Sequence, residues 1–162
     1  MSPIATPGWI LGLMLTLGYL LPAQAVSVKF IGTLVVPPPC VINSGNDIAV
    51  TFANDMLVGH LNGVNYEQNI PYTLNCTGAT HATLRLQFQG SGAGFDASVL
   101  GTSKTGLGLE LRSGGTKLPV NTWLNFSNPA RPVLTVVPVR EAGGSLAGGA
   151  FTAASTLVVD YQ

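Results

Sequence analysis

The residue types able to do chemistry are few in this chain, and their spacing argues against a catalytic centre. His60 and His81 are the two histidines, and neither has a cysteine or an H-x-x-H partner nearby, so they read as loop residues rather than metal ligands. Glu67, Asp96, Glu110, Glu141 and Asp160 are scattered, with no aromatic cluster of the kind a paired-carboxylate glycosidase needs. No G-x-S-x-G occurs, so there is no nucleophile elbow. Gly90-Ser91-Gly92-Ala93-Gly94 is rich in glycine but lacks the G-x-G-x-x-G spacing of a phosphate loop, and it reads as a flexible connection. Asn75-Cys76-Thr77 and Asn125-Phe126-Ser127 match the glycosylation pattern, which means nothing if Cys76 is bonded and the host does not glycosylate. Trp123 and Phe126 in NTWLNF could line an aromatic ligand platform, though core packing or a loop anchor explains them more simply. The reading is of a non-enzyme with no cofactor and no metal.

Composition points the same way. Charged residues make up 9% of the 162 residues and the formal net charge is zero, against a usual quarter charged. Such a surface does not draw nucleic acid or an anionic membrane. It is also poorly protected against association, a smaller liability for a subunit meant to be assembled.

The chain opens MSPIATPGWILGLMLTLGYLLPAQA, in which Trp9–Leu21 has the length of a signal-peptide apolar region and is too short to span a bilayer. Pro22 breaks it, and Ala23-Gln24-Ala25 has the form of a signal-peptidase site. No Lys or Arg precedes this run; Lys29 is the first charged residue. The expectation is a signal peptide over 1–25, leaving residues 26–162 as one domain. Export implies an oxidising compartment, so Cys40 and Cys76, 36 positions apart, are expected to form a disulfide. Two lone cysteines lack the paired C-x-x-C spacing of a zinc site.

The elements that hold these residues read as strands. Short runs rich in Val, Leu, Thr and Phe are separated by Gly, Pro, Asn and Ser, and no segment after residue 25 has a helical period. Candidate strands are Val28–Val36, Asp47–Phe52, Gln68–Asn75, Ala82–Gln89, Gly106–Arg112, Val133–Arg140 and Gly149–Tyr161. Turns are expected at Asn43-Ser44-Gly45-Asn46, Ser113-Gly114-Gly115 and Ala142-Gly143-Gly144. Seven short strands predict an all-β sandwich or barrel.

The two outermost strands are the informative ones. Along SVKFIGTLVVPPPC, Val28, Phe30, Gly32, Leu34 and Val36 share one face, and the Pro37-Pro38-Pro39 run ends the ladder. Along GGAFTAASTLVVDYQ, one face carries Phe151, Ala153, Ser155, Leu157, Val159 and Tyr161. An apolar strand without a neighbour is a template for strand addition. Burying Val28, Phe30, Leu34 and Val36 on such a template contributes about 2 kcal/mol each. Gly32, which weakens a plain strand, suits a close backbone approach.

Taken in order, these stretches resemble the pilin subunits of chaperone–usher fimbriae, such as the minor subunits of P and type 1 pili. The resemblance rests on KFIGTLV followed by Cys40, on Asn75-Cys76, on LQFQG (86–90), on GLGL (106–109) and on the segment from Gly149-Ala150-Phe151 to Asp160-Tyr161-Gln162. It implies an incomplete immunoglobulin-like β-sandwich lacking its final strand, with an N-terminal donor-strand extension. The implied domains are residues 26–36, merging into the first strand, and a pilin domain over 37–162. The implied donor strand is Val28, Phe30, Gly32, Leu34 and Val36; the implied groove edge is Phe151, Ala153, Ser155, Leu157, Val159 and Tyr161. The implied function is a structural fimbrial subunit that polymerises by donor-strand exchange and supports adhesion. The short extension looks like a minor, tip or adaptor subunit. Implied partners are a periplasmic fimbrial chaperone, an outer-membrane usher and neighbouring pilin subunits, with a host receptor met only through the assembled fibre. The implied place is the bacterial cell surface, reached through the periplasm. The alternative is a secreted, self-contained carbohydrate-binding β-sandwich, an adhesin or lectin.

Overall fold

Alternation along TLRLQFQ decides the central strand of the fold. In β4 (Thr83–Gln89), Leu84, Leu86 and Phe88 turn inward and are buried, as a period of two requires. The same logic builds the facing sheet, where Leu107, Leu109 and Leu111 of β7 (Leu107–Ser113) and Leu134 and Val136 of β10 (Leu134–Arg140) are buried. These strands belong to a computed structural model that describes residues 26–34, 40–77 and 83–162. Residues 26–34 and the domain from residue 40 onward are described separately.

In the domain, the remaining strands are β1 (Val41–Ile42), β2 (Gln68–Asn69), β3 (Leu74–Asn75), β5 (Gly92–Ala93), β6 (Asp96–Gly101), β8 (Thr116–Lys117), β9 (Leu124–Ser127) and β11 (Thr156–Tyr161). All pairings are antiparallel. One sheet runs β2-β10-β7-β6-β5, with β8 hairpinned onto β7; the second runs β11-β4-β9; β1 and β3 form a small ribbon. The β7–β8 hairpin turns on Gly114 and Gly115, whose φ values of +55° and +82° suit glycine in a two-residue loop.

The core lies between the two larger sheets. Leu86 and Phe88 meet Leu100, Leu109, Leu111, Leu134 and Val136, joined by Ile70, Leu118 and Val120. A second cluster of Leu74, Cys76 and Leu84 sits by the ribbon, against Cys40 and Ile42. Cys40 and Cys76 are bonded, the pairing expected from the sequence.

Several strands differ from the sequence reading, each for a local reason. Gln68–Asn75 is interrupted at Ile70-Pro71-Tyr72: Pro71 has no N–H to give a ladder, and the Tyr72 N–H bonds to the Ile70 carbonyl instead. Asp47–Phe52 alternates as expected but joins no ladder. The C-terminal strand begins at Thr156 rather than Gly149, because Thr152 is held by Ser103: the Ser103 N–H donates to its carbonyl and its own N–H donates to Ser103 Oγ. Gly90–Gly94 is not a free connection; Gly92 and Ala93 pair with β6. There, backbone atoms of Ala97 leave no room for a Cβ on Gly92, the nearest lying 2.6 Å from where it would stand.

Candidate functional site

The second sheet ends at β11, and among the described residues no strand lies beyond it. β11 pairs with β4 in the register Thr156↔Gln89 through Tyr161↔Leu84. The Gln162 N–H continues that ladder onto the Thr83 carbonyl. In an antiparallel ladder the hydrogen-bonded pairs alternate. Residues 156, 158 and 160 therefore turn their backbone groups to β4, while Leu157, Val159 and Tyr161 turn theirs to the open edge. The same three residues point their side chains inward, half-buried.

A second half-buried row faces this core. Ile48, Val50 and Phe52 lie in the extended segment without a ladder and pack against the same cluster as Leu157 and Val159. No backbone hydrogen bond outside the ladders joins residues 47–52 to β11 among the described residues. Phe52 and Phe151 close one end with ring centroids 5.8 Å apart. At the other, the Tyr161 hydroxyl lies 3.6 Å from the Cys40 sulfur. The core is thus fully covered by the larger sheet and thinly covered along this line. The alternation of Ile48, Val50 and Phe52 was the sequence signal for this second wall.

One charged group stands at the edge. Asp160 Oδ2 accepts from Arg85 Nη2 at 2.6 Å and Nε at 3.2 Å, across the ladder toward β4. Its Oδ1 accepts from the Tyr161 N–H at 2.9 Å, on the open side. The Arg85 hydrogen bond, then that from Tyr161, holds the Asp160 carboxyl below its usual range. The Arg85 guanidinium in turn lies 4.5 Å over the Trp123 ring. Asp160, Arg85 and Trp123 occupy the outer face of this sheet.

Of the residues expected at the groove edge, Leu157, Val159 and Tyr161 come together on β11, and Phe151 joins through Phe52; Ala153 and Ser155 are exposed and precede the strand. Of the donor residues, Val28, Phe30 and Leu34 are 70%, 92% and 99% exposed, in a stretch that enters no ladder, and nothing lies within 4 Å of a Cβ built on Gly32. Val36 lies outside the described residues, as do the expected signal peptide and His81. Trp123 and Phe126 make no shared platform, since Phe126 packs inward while Trp123 lies on the outer face. No cluster of three metal-ligating side chains occurs among the described residues.

A family model described as fimbrial protein matches residues 28–162. The chain belongs to the fimbrial protein family. It is 38% identical over 131 residues to the fimbrial-like protein YfcR of Escherichia coli (strain K12), covering 78% of this chain and 75% of that one. It is 33% identical over 141 residues to the fimbrial-like protein YfcQ of the same strain, covering 83% and 86%. The P pilus rod subunit PapA shares the fold, with a TM-score of 0.60 at 23% identity, over 77% of this chain and all of that one. The P pilus adaptor subunit PapF matches with a TM-score of 0.54 at 25% identity, over 78% and 98%. The all-β architecture is thus the immunoglobulin-like pilin fold, and the family is one of structural pilus subunits rather than enzymes.

Proposed function

We propose that this chain is a chaperone–usher pilus subunit that polymerises by donor-strand exchange, its β11 edge receiving a strand and residues 26–36 donating one. The observation that carries this is the coincidence at β11 of edge-facing backbone groups and half-buried apolar side chains, in a chain that also displays Val28, Phe30 and Leu34 to solvent. An added strand satisfies the first and covers the second. A periplasmic chaperone fills the edge before assembly, and an outer-membrane usher is where the next subunit replaces it. Residues 1–25 direct export through the periplasm to the cell surface, where the fibre supports adhesion. The short extension favours a minor, tip or adaptor place.

The test appends residues 26–36 to the C-terminus through a flexible linker and compares thermal unfolding with the unmodified mature chain. The self-complemented chain is expected to melt well above the unmodified one and to stay monomeric. Equal stability, with both chains monomeric, contradicts the proposal.

A further inference from the structure

Strand exchange leaves open which strand enters and in what register; this inference rests on that reading and sharpens it. A strand joining β11 must place its inward residues opposite Leu157, Val159 and Tyr161, because residues directly opposite share a face. For the donor segment this means Val28, Phe30, Gly32, Leu34 and Val36 opposite odd-numbered residues of β11. The remaining freedom is the strand's direction and steps of two residues, each about 7 Å.

The outer face distinguishes among these arrangements. There, Thr156, Val158 and Asp160 line β11, and Lys29, Ile31, Thr33 and Val35 line the donor. Antiparallel addition with Lys29 opposite Asp160 also sets Ile31 opposite the half-buried Val158, and Thr33 opposite Thr156. On the inner face it sets Val28 opposite Tyr161, Phe30 opposite Val159, Gly32 opposite Leu157 and Leu34 opposite Ser155, so that Gly32 and Ser155 each face a leucine. A shift of two one way puts Lys29 against Val158; the other way puts Ile31 against Asp160. A parallel strand with Ile31 opposite Val158 carries Lys29 to Thr156, two pairs from the carboxylate.

We propose that the β11 edge takes residues 28–36 of a second copy of this chain, antiparallel and in the register that pairs Lys29 with Asp160. Asp160 is poised for this. Its Oδ2 is held by Arg85 on the β4 side, while its Oδ1 bonds the Tyr161 N–H on the open side. A donor carbonyl opposite takes over that N–H and leaves Oδ1 to the Lys29 ammonium. Because donor and acceptor lie in one chain, copies match each other.

The pair Lys29–Asp160 falls at a non-hydrogen-bonded position, where opposing side chains approach closely enough for a disulfide. Mature chains carrying K29C are mixed with chains carrying D160C, V158C or Q162C and oxidised. The expected result is a cross-linked dimer with D160C and little with the other two. Cross-linking mainly to V158C or Q162C overturns the register while leaving strand exchange intact. No cross-link to any of them, together with failure of a residue 26–36 peptide to bind the chain, overturns strand exchange itself. Peptide binding without any cross-link overturns the register that pairs Lys29 with Asp160. A double-mutant cycle of K29Q in the peptide and D160N in the chain is expected to show two- to five-fold coupling in affinity. Additive effects contradict the pair.

Discussion

Phe30→Ala separates a residue that serves a neighbour from one that serves its own domain. Phe30 is 92% exposed, so truncating it removes no packing from the chain that carries it. Exposed substitutions of this kind stay within about 0.5 kcal/mol, roughly 2 °C in melting temperature for a domain of this size. In the joined strand, Phe30 lies opposite Val159 and is covered by the same core that half-buries Leu157. Fully burying a phenylalanine contributes about 2 to 3 kcal/mol, which is about 30- to 150-fold in dissociation constant. The assay is fluorescence anisotropy of a labelled residue 26–36 peptide binding the mature chain, with wild-type and Phe30→Ala peptides, beside thermal unfolding of the full chain with the same substitution. Thr33→Ala, on the opposite face, serves as the control and is expected to cost less than about five-fold. A drop of several degrees in the chain's own melting temperature, with peptide affinity unchanged, would place Phe30 in its own fold instead of a neighbour's.

Three further outcomes follow from the domain itself. Replacing Cys40 and Cys76 together by serine opens a 36-residue loop and is expected to lower stability by about 3.8 kcal/mol in the chain-entropy view, read by urea denaturation. Gly108→Val on β7 is expected to destabilise by about 2 to 3 kcal/mol, since a Cβ there stands 2.6 Å from Val99 Cγ1 and 3.1 Å from Phe95 Cζ; an unchanged denaturation midpoint rejects this. Asp96 accepts from the Ser98 hydroxyl and N–H, and then from Lys117, which lowers its pKa from 3.8 to about 2. A depressed carboxylate stabilises the fold above its unfolded pKa and loses that contribution as pH falls through the folded value. The Asp96→Asn chain is therefore expected to lose less stability than the wild type between about pH 4 and pH 2.

The strands whose inward residues are all large and apolar were readable within a residue or so: Ala82–Gln89, Gly106–Arg112 and Val133–Arg140 correspond to β4, β7 and β10. Alternation reports which face is buried, not whether a neighbour exists to complete the ladder. That is why Ile48, Val50 and Phe52 pack as a strand face would, yet form none. β5 and β6 escaped because glycines at 90, 92 and 94 look like a connection, when Gly92 is there to let Ala97 approach. β9 was hidden in NTWLNF, whose two aromatics face opposite sides of the sheet. At the site, the apolar residues of β11 were legible from their spacing. The inward face of residues 48–52 was legible too, but not its place beside Leu157 and Val159, nor the Asp160–Arg85 pair, because both depend on partners more than 70 positions away along the chain.

Among the described residues β11 has a neighbour on one side only, and the other side is expected to stay open until another molecule supplies a strand. Amide hydrogen exchange resolved by residue measures this directly. Slow exchange is expected at Val158 and Asp160, whose N–H groups face β4, and fast exchange at Leu157 and Val159, slowing once the residue 26–36 peptide is added. Leu157 and Val159 amides already protected in the monomeric chain, and unchanged by the peptide, would contradict it.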